Sequence, residues 1–461
     1  MENNPTSSAL TAENFINNDV APEDVAIQKP APVTKENRIQ TIDMVRGFAL
    51  CGILLMNIIG FGTDNGTLFK VANGPHNNAD YITMGAIITF FDGTMRGLFS
   101  MLFGAGMILF LSGKQERPSG PRVADYYYRR LLWLVLFGVF NAFVLLWPGD
   151  ILYYYGLTGM ILYPFRKSAP KVLIMLGLLC FLINAGKSLW GWNETKDKRV
   201  AYLEAIAAEK AKQKLTPEQE AAKAEWPEIE KNYTFDPYYS QVNVEKTRGN
   251  YPTVFEHFMD RNVGGEIWWM YHGVWDFLGM MLLGMAFLGL GFFSNKLSTS
   301  TYVMVLLVGY IVGTTIGYVA FKGTIEYWTH PVRYIDSYRV PHQLLYDLRR
   351  LFISIGHAAF IMLVYRSKLV PWLMKGLANV GQMAFTNYLM QSIICTLFFY
   401  GYGFGYYDKL RFYQTYYVVF AIWTFQLIAS TIWLRYFRFG PFEWLWRSLT
   451  YGKPQPMRIR N

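Results

Sequence analysis

Long apolar runs, separated by short polar connections, follow one another along the chain after its first 38 residues. A helix of about 20 apolar residues is long enough to cross a bilayer. Ten runs are predicted spans, and they cover residues 43–62, 81–113, 126–147, 150–165, 171–192, 268–293, 301–321, 342–365, 380–401 and 413–434. The pattern predicts an all-α fold, a polytopic membrane helix bundle of about ten transmembrane helices. Nine or eleven spans are the alternatives, because the second run is long and the fourth is short.

Polar regions divide the chain into five parts. Residues 1–38 are polar and lack an apolar centre, which predicts a disordered cytoplasmic arm. Transmembrane helices 1–5 are predicted in residues 39–192 and helices 6–10 in residues 265–436. The hydrophilic residues 193–264 between them are predicted to form an extracytoplasmic helical insertion, and residues 437–461 a cytoplasmic basic tail.

The insertion is rich in alanine, glutamate and lysine, which indicates helices. Its segment Thr216-Pro217-Glu218-Gln219 suits a helix start, with Thr216 as the N-cap and Gln219 closing a capping box. The mixed charges favour a solvated helical pair. A lid over a site in the membrane is the alternative.

Composition supports the membrane assignment, and charge sets its orientation. Hydrophobic residues make up 52% of the chain and charged residues 16%, whereas soluble domains carry about 25% charged residues. The net charge is +10. Most basic residues fall in connections on one side of the predicted spans, so the positive-inside rule places both termini in the cytoplasm. No nucleic-acid-binding motif is present, so the positive charge is interpreted as a topology signal.

The first span carries three polar side chains, Asp43, Arg46 and Asn57, within an apolar run. A helix turns by about 100° per residue, so Arg46 and Asn57 return to within about 20° of one face and lie about 16 Å apart. Asp43 lies one turn before Arg46 on the same side. Polar groups in a membrane helix normally face a bundle interior or a wet cavity, so this stripe predicts a polar site inside the bundle.

Further polar residues fall inside or beside the other spans. Asp92 and Arg96 are four apart, acid first, which favours an ion pair on one helix, and Asp347 and Arg350 are three apart. Charge-neutral pairs of this kind are explained by bundle stability alone, whereas their number on several spans favours a wet site. The remaining ones are Asp150, Asp276, His357, Asn387, Gln391, Glu443 and Arg447.

Motifs of several enzyme classes are absent from the sequence. It has no HExxH, CxxC, P-loop or GxSxG motif, so zinc hydrolysis, dithiol redox chemistry, ATP hydrolysis and serine hydrolysis lack support. The three cysteines, Cys51, Cys180 and Cys395, lie apart in separate apolar runs. They are predicted to be packing residues, and no metal site is expected.

Several segments together resemble the YeiB-like family, bacterial inner-membrane proteins with a domain of unknown function. The opening RIQTIDMVRGFALCGILLMNIIGF resembles the first helix of that family. Similar segments follow: FDGTMRGLFSMLFGAGM, GDILYYYGLTGMILYPF, LGMMLLGMAFLGLGF, VGQMAFTNYLMQSIICTLFF and WLRYFRFGPFEWLWRSLTYG. The resemblance covers residues 38–453 and implies a multi-pass protein of the bacterial inner membrane.

That family is in turn distantly similar to transmembrane acyltransferases, including the acyltransferase-three group and the heparan glucosaminide N-acetyltransferases. These groups share an LDxxRG-like start of the first helix. The acyltransferase-three group has a basic residue where this chain has Arg46 and a catalytic histidine where it has Asn57. The heparan branch has asparagine at that position. The resemblance implies transfer of an acyl group from a cytoplasmic thioester donor, acyl-CoA, to an extracytoplasmic sugar or lipid acceptor.

This hypothesis assigns roles to residues of the chain. The general base would be Asp150, His76 or His357. The donor and the acceptor would be bound by Asp43, Arg46, Asn57, Asp92, Arg96, Arg350, Asn387, Gln391 and Arg447. The expected partners are membrane lipids, acyl-CoA and the sugar or lipid acceptor, with no metal and no nucleic acid.

Two other functions stay open from the sequence. A transporter or flippase for an amphipathic or lipid-linked solute would use the polar residues as a path, although the sequence shows no inverted repeat and no pair of broken helices. A non-catalytic envelope scaffold or sensor would use the insertion as its contact surface.

Overall fold

The structure is a computed structural model that describes residues 39–112, 123–265 and 270–459. Its described residues form α-helices and short 3-10 turns and contain no β-strand, so the all-α prediction is confirmed for this part of the chain. The helices are α1 (Gln40–Gly62), α2 (Asn65–Asn73), α3 (Ala79–Phe90), α4 (Thr94–Ser112), α5 (Val123–Phe143), α6 (Leu152–Leu162), α7 (Pro170–Lys210), α8 (Pro217–Lys231), α9 (Pro237–Thr247), α10 (Tyr251–Gly264), α11 (Met270–Gly289), α12 (Thr299–Thr329), α13 (Pro331–Ser337), α14 (Tyr346–Ser367), α15 (Pro371–Gln382), α16 (Ala384–Phe399), α17 (Thr415–Tyr436) and α18 (Pro441–Tyr451). The predicted arm, residues 1–38, lies outside the described residues.

Six helical segments of the described residues are long and apolar enough to cross a membrane. They are Gln40–Gly62, Ala79–Ser112, Pro170–Lys210, Thr299–Thr329, Tyr346–Ser367 and Phe412–Tyr436. Two shorter apolar helices, Gly273–Gly289 and Ala384–Phe399, accompany them. The chain is therefore a multi-pass membrane protein. The count of ten spans and the cytoplasmic side of both termini stay predictions.

The second predicted span is interrupted between α3 and α4, close to its middle. Gly93 in the interruption has a φ of +70°, a left-handed conformation that glycine adopts readily. A Cβ at this position would overlap the Tyr346 hydroxyl and the Arg350 side chain. The backbone at Gly93 thus divides the apolar segment Ala79–Ser112 into α3 and α4.

Two helices occupy stretches that the sequence assigned to connections. The polar loop after the first span contains α2, because the Asp64 carboxylate caps its start by accepting from the Gly66 amide at 2.7 Å. The basic connection before the ninth predicted span, residues 366–375, contains the start of α15, which begins at Pro371, extends into that span and buries one apolar side. Helix start residues, Asp64 and Pro371, are present in both stretches.

The chain reverses direction at Met383, between α15 and α16. Gly376 and Asn379 of α15 contact Leu427 and Thr431 of α17, respectively, so α15 and α17 run parallel. In contrast, Asn387 and Gln391 of α16 form hydrogen bonds with Ser430 and Gln426 of α17, respectively, so α16 runs antiparallel to α17. The buried start of α16 is capped by a residue of α18. The Glu443 carboxylate of α18 accepts from the backbone amides of Phe385 at 2.7 Å and Thr386 at 3.1 Å.

Helix α1 lies against α15 through two glycines, Gly47 and Gly381. A Cβ on Gly47 would overlap the Leu377 carbonyl oxygen, and a Cβ on Gly381 would overlap the Asp43 carbonyl oxygen. Small residues allow this close backbone approach in membrane bundles. The contact fixes the first half of α1, and with it Asp43 and Arg46, inside the bundle.

The predicted insertion has two structurally different parts. The helix α7 continues without a break through the predicted boundary at residue 193, and α8 folds back on it through exposed ion pairs such as Lys198 with Glu225. The predicted helix start at Thr216 is confirmed, since Thr216 and Gln219 form the capping box. This part matches a solvated helical pair.

The second part of the insertion, α9 and α10, is fastened to the membrane helices. Asn243 of α9 donates to the Asp64 carboxylate at 2.5 Å, and Asn262 of α10 donates to the Ala142 carbonyl at the same distance. The Arg248 guanidinium donates to the Tyr407 carbonyl at 2.8 Å. These contacts hold α9 and α10 against the ends of α1, α5 and α16.

Candidate functional site

A cluster of ionised side chains lies inside the bundle where α4, α11 and α14 meet. The Arg96 guanidinium donates to Asp276 at 2.8 Å, and Arg350 donates to the same carboxylate through two nitrogens. Arg350 also donates to Asp347 at 3.2 Å, and Asn184 of α7 donates to the other Asp347 oxygen at 2.7 Å. Buried charges are costly unless they are paired and hydrogen-bonded, and these carboxylates satisfy both conditions.

A second ion pair extends this cluster to the interruption between α3 and α4. The buried Arg349 guanidinium donates to the Asp92 carboxylate at 2.7 Å and to the Asp92 and Ile88 carbonyls at 2.9 Å. Its positive charge thus satisfies carbonyls at the C-terminal end of α3, where the helix dipole favours a cation. We call Arg96, Arg349, Arg350, Asp92, Asp276 and Asp347 the ion cluster; their formal charges cancel.

The structure changes the pairing predicted within this cluster. Asp92 pairs with Arg349 and Arg96 pairs with Asp276, so the predicted Asp92–Arg96 pair is wrong. The reason is Gly93, whose left-handed turn separates Asp92 from the helix that carries Arg96. The predicted Asp347–Arg350 pair is present, at 3.2 Å.

One face of α4 leads away from Arg96 and is only partly buried. Its half-buried positions, which we call the α4 stripe, are Arg96, Phe99, Phe103, Gly106 and Phe110. Three- and four-residue spacing puts them on one side of the helix, over a length of about 21 Å. The Phe99 and Phe103 rings lie 5.8 and 5.2 Å from the Tyr155 ring of α6. The stripe therefore faces protein on this side, and its side chains keep part of their surface accessible.

Three arginines, Arg46, Arg130 and Arg447, converge at the end of the stripe opposite Arg96. Arg46 donates to Asp43 at 2.9 Å and reaches Gly106, with 25% of its side-chain surface accessible. The Arg130 guanidinium lies over the Phe110 ring at 5.1 Å, and the charges of Arg46 and Arg447 both act on it. The stripe thus has a group of cations at one end, which we call the arginine end, and the ion cluster at the other.

Tyr155 joins α6 to the start of α4. Its hydroxyl donates to the Arg96 carbonyl at 3.1 Å and lies 2.8 Å from the Ser100 hydroxyl. The Arg96 guanidinium packs over the Phe277 ring at 5.0 Å and still has 30% of its side-chain surface accessible. Among the three arginines of the ion cluster, Arg96 is therefore the most accessible to a hydrogen-bonding ligand.

Asp150 lies buried in the turn before α6, across from α16. Its carboxylate accepts from the Asn141 amide at 2.7 Å, from the Tyr153 backbone amide at 2.9 Å and from the Tyr388 hydroxyl at 3.4 Å. These donors fix the orientation of the carboxylate. Asn57 is half-buried on α1, and no hydrogen bond joins its amide to the part of the chain that the structure describes.

The other predicted site residues are placed apart from the α4 stripe. His357 has both ring nitrogens engaged, Nδ1 with the Tyr310 hydroxyl at 2.8 Å and Nε2 with the Phe90 carbonyl at 3.3 Å. His76 is exposed in the turn after α2 and stacks on Tyr81 at 4.3 Å. Asn387 and Gln391 bridge α16 to α17. The structure thus brings Arg96, Asp92 and Arg350 together, and it collects Asp43, Arg46 and Arg447 around the other end of the stripe.

Sequence reasoning missed several members of the site. Asp276 was recognised as a buried polar residue without a role, and Arg349, Asn184, Tyr155 and Tyr346 were not proposed as site residues. A single acid in the apolar run around Asp276 was the available signal, because an unpaired carboxylate there requires a buried cation. The tyrosines gave no comparable signal, since tyrosine is common throughout this chain.

Comparison with known proteins places the chain in a family. A family described as "Protein of unknown function (DUF418)" matches residues 288–453. The uncharacterized protein YeiB of Escherichia coli (strain K12) is 31% identical over 430 residues, which cover 90% of this chain and 97% of that protein. The chain belongs to the YeiB-like family. The resemblance predicted from the sequence is thereby confirmed.

Other YeiB-like relatives extend over the same length. The uncharacterized protein YxaH of Bacillus subtilis (strain 168) is 27% identical over 452 residues, covering 92% of this chain and 97% of that protein. An uncharacterized 39.9 kDa protein in the amylase 3' region of Bacillus acidopullulyticus is 23% identical, covering 93% and 99%. No solved structure matches the chain. Membership of the YeiB-like family therefore does not specify an activity, and the function is inferred from the site.

Proposed function

We propose that the chain is a transmembrane acyltransferase, which transfers an acyl group from a cytoplasmic thioester donor to an extracytoplasmic sugar or lipid acceptor. The observation that carries this proposal is the α4 stripe. It is an aromatic, partly accessible face about 21 Å long, with cations at one end and ion-paired groups at the other. This arrangement suits a long, thin donor with a phosphorylated head and a reactive far end, as in acyl-CoA.

The arginine end supplies the groups that phosphates require. Arg46, Arg130 and Arg447 present planar guanidinium donors, which bind phosphate oxygens through paired hydrogen bonds. Phe103 and Phe110 line the following part of the stripe, and their apolar surface fits an extended alkyl amide arm. Asn57 and Arg96 are accessible donors near the far end, suited to a thioester carbonyl.

In the proposed step, the acceptor hydroxyl or amine attacks the thioester carbonyl carbon, and Asp150 takes the proton of the attacking group. Negative charge on the carbonyl oxygen is stabilised by donors such as Arg96 and Asn57. The carbon–sulfur bond then breaks, and the proton passes from Asp150 to the leaving thiolate. Asp150 is the preferred base among the three predicted, because His357 is fully engaged and His76 lies on the surface.

The same proposal includes the location of the protein. Relatives occur in Escherichia coli and Bacillus subtilis, and basic residues gather on one side of the predicted spans. We therefore assign the chain to the bacterial inner membrane, with both termini in the cytoplasm. The arginine end then faces the cytoplasm, where acyl-CoA is made.

Donor binding tests the proposal directly. Purified protein in detergent is titrated with radiolabelled acetyl-CoA and palmitoyl-CoA in equilibrium dialysis, and the same is done for three variants. Arg46→Ala and Arg130→Gln are each expected to weaken binding about tenfold, as loss of a charged hydrogen bond does. Arg435→Ala is the matched control, because Arg435 is an exposed arginine at the end of α17.

The outcomes separate clearly. Binding by wild-type protein and by Arg435→Ala, with losses in both site variants, supports the proposal. Absence of binding by the wild-type protein would overturn it, as would equal binding by all four proteins. Release of free thiol from bound acyl-CoA on adding a candidate acceptor then reports on the transfer itself.

A transporter is the second candidate, favoured by the sharing of partners in the ion cluster. Asp276 is held by both Arg96 and Arg350, and Arg350 is held by both Asp276 and Asp347. Shared partners allow a proton or a solute to shift the pairing, as in proton relays. Proteoliposomes with a pH gradient would show gradient-dependent solute uptake if this function holds. Acyl-CoA binding without such flux would exclude it in favour of the transferase.

A further inference from the structure

An open groove lies on the outside of the bundle, between the first half of α5 and the end of α18. Its walls are Arg129, Leu132, Trp133 and Leu136 of α5 and Leu449 of α18, and its volume is about 440 Å³. This volume lies within the range of small-molecule sites. None of these residues has a role in the proposed acyl transfer.

The α5 side of the groove is an exposed apolar face. Leu132 and Leu136 are each more than half exposed, and Phe140 continues the same side one turn later. Three- and four-residue spacing aligns these side chains with Arg129 along about 16 Å of the helix. The helix α5 belongs to the predicted span of residues 126–147, so this face is expected to meet the acyl chains of the membrane.

Arg129 lies at one end of this face with unused hydrogen-bonding capacity. The residue is exposed, and a guanidinium carries five N–H donors. Among the described residues, Arg129 donates to the Thr450 carbonyl at 3.4 Å and forms no ion pair, although Asp125 lies one turn earlier on α5. An accessible cation that no acid neutralises favours an anionic ligand.

The groups around Arg129 are typical of a membrane interface. Gly452 lies beside it, because a Cβ on Gly452 would be 3.8 Å from the guanidinium, and the exposed Lys453 follows in the chain. The Tyr126 ring, one turn before Arg129, lies 5.4 Å from the Tyr451 ring. Tyrosine and basic side chains gather at the depth of the lipid head groups.

We propose that this groove binds an anionic phospholipid, with its phosphate on Arg129 and one acyl chain along Leu132 and Leu136. The exposed cations select a negatively charged head group, and the apolar walls select a lipid over a free anion. The groove lies at the end of α5 that the positive-inside rule places in the cytoplasm, where anionic lipids attract basic side chains. Such binding requires neither a thioester nor an acceptor, so it does not depend on acyl transfer.

The neighbouring Arg130 belongs to a different site. Its guanidinium lies over the Phe110 ring of α4 at 5.1 Å and over the Trp446 ring of α18 at 4.0 Å. Successive residues of a helix differ by about 100° in direction, so Arg129 and Arg130 have different surroundings. The groove and the arginine end therefore use separate cations, and each can be tested by itself.

A second copy of the chain fits this groove less well than a lipid. In a two-fold dimer the same patch of both copies meets at the interface. Arg129 and Lys453 of one copy would then lie close to the same cations of the other, and the described lining of the groove includes no acid. An anionic phospholipid brings the negative charge that the groove lacks.

Native mass spectrometry of the full-length protein in a polyoxyethylene detergent measures the binding. Phosphatidylglycerol and phosphatidylcholine with identical acyl chains are titrated separately, and glycerol phosphate is the third ligand. We expect phosphatidylglycerol to bind about fivefold more tightly than phosphatidylcholine, because its head group carries a net negative charge. Glycerol phosphate should not bind at concentrations that saturate the protein with phosphatidylglycerol, because it has no acyl chain.

Two variants and a control locate the binding. Arg129→Gln changes an exposed position, and it is expected to weaken phosphatidylglycerol binding about fivefold and to remove the preference over phosphatidylcholine. Leu136→Trp fills the groove with a larger apolar side chain and should weaken the binding of both lipids. Arg435→Gln is the matched control, since Arg435 is an exposed arginine at the end of α17, outside the groove, and it should bind both lipids as wild type does.

Photolabelling in liposomes reports the position of the acyl chain. Phosphatidylglycerol with a diazirine in one acyl chain is expected to label residues 132–140 in the wild-type protein and in Arg435→Gln. Labelling of these residues should fall in Arg129→Gln, whereas labelling of other lipid-exposed helices should not change. A change in the fold of the whole protein would alter labelling everywhere, so the pattern separates lipid binding from folding.

Equal affinity for the two phospholipids, or an unchanged preference in Arg129→Gln, would overturn the inference. Binding of glycerol phosphate as tight as that of phosphatidylglycerol would identify a soluble anion instead, and a lipid-free dimer that Leu136→Trp disrupts would identify a second copy. Acyl-CoA binding by Arg129→Gln is expected to equal that of the wild-type protein. If acyl-CoA binds to neither while phosphatidylglycerol labels the groove, the lipid site stands and the acyltransferase function falls.

Discussion

Arg96 and Asp276 lie 180 positions apart in the chain and are joined by a hydrogen bond of 2.8 Å inside the helix bundle. The same carboxylate receives two hydrogen bonds from Arg350. Asp276 therefore neutralises two cations, one on α4 and one on α14. Its own helix, α11, supplies the single acid on which both depend.

Replacing this acid should be among the most damaging substitutions in the membrane region. Asp276→Asn leaves Arg96 and Arg350 with only Asp347 as a close acid in the deep part of the cluster. Removal of one partner from a buried ion pair typically costs about 3–5 kcal/mol, and we expect a loss of that size. Thermal unfolding of the purified protein in detergent measures it.

Asp336→Asn is the matched control for this prediction. Asp336 pairs with Arg199 in an accessible position, where its side chain is 40% exposed, and such pairs contribute at most about 1 kcal/mol. In a double-mutant cycle, Asp276→Asn combined with Arg350→Gln should be less destabilising than the sum of the two changes. Additive effects would show that the two side chains do not depend on each other.

The close contact of α1 with α15 gives a second prediction. Gly47→Ala adds a methyl group against the Leu377 carbonyl, and Gly381→Ala adds one against the Asp43 carbonyl. Neither backbone oxygen can move without separating the helices, so each variant should lose about 1–3 kcal/mol through overpacking. Gly186→Ala on α7 meets no atom within 4 Å and should be neutral or slightly stabilising. Equal unfolding temperatures for the three variants would contradict this account of the contact.

The sequence predicted which residues lie inside the bundle better than which residues meet. Apolar periodicity was enough to place Asp43, Arg46 and Asn57 on one side of α1, because helix geometry is local. It could not pair Arg96 with Asp276, since that contact depends on how α4 packs on α11. The wrong pairing of Arg96 with Asp92 followed from their four-residue spacing, which places two residues on one helix face only where the helix is continuous, and the turn at Gly93 interrupts it.

The helix α15 also shows that a sequence can predict a helix without predicting what that helix packs against. Its first residues, up to 375, were interpreted as part of a basic connection and its last, from 380, as part of the ninth span. Pro371 is nevertheless a good helix start, and Met374, Leu377 and Val380 form a buried side. Propensity and pattern were sufficient for the helix. Its position against α1 was not available from the sequence, because it depends on Gly47 and Gly381 meeting across the bundle.

The cap of α16 by Glu443 leads to a third prediction. The carboxylate accepts from the amides of Phe385 and Thr386, which have no partner in their own helix. Glu443→Ala removes both acceptors and should cost about 1–2 kcal/mol. Glu443→Gln keeps one acceptor oxygen and should cost less, which makes it the matched comparison. Thermal unfolding of both variants distinguishes a cap from a simple tail contact, for which the two changes would be equal.

His257 predicts how the insertion responds to pH. Asn243 donates to Asp64, so its oxygen accepts and the Nε2 atom of His257 must donate to it, at 2.7 Å. Burial, followed by the charges of Lys246 and Arg261, lowers the pKa of His257 below its usual 6.5. The unfolded segment then binds protons more readily than the docked one, so stability is retained above about pH 6.5 and falls as the pH drops below it.

Hydrogen exchange of residues 237–264 measures this effect. After correction for intrinsic rates, exchange in α9 and α10 should be faster near pH 5 than near pH 7. His257→Gln keeps a side-chain donor for Asn243 without the titration, and it should make exchange much less sensitive to pH. The same pH dependence in that variant would assign the effect to another group.

The two asparagines of the predicted site should separate function from stability. Asn387 donates to the Ser430 hydroxyl at 2.9 Å and to the Val380 carbonyl at 3.3 Å, so Asn387→Leu should cost about 1–3 kcal/mol by leaving these partners unsatisfied. Asn57 has no hydrogen bond to the described residues, and Asn57→Leu should leave the unfolding temperature close to wild type. The same Asn57 variant should nevertheless weaken acyl-CoA binding, because its amide is available for a ligand. If Asn57→Leu instead lowers stability as much as Asn387→Leu while acyl-CoA binding persists, the polar stripe of α1 is a packing feature and its part in donor binding is wrong.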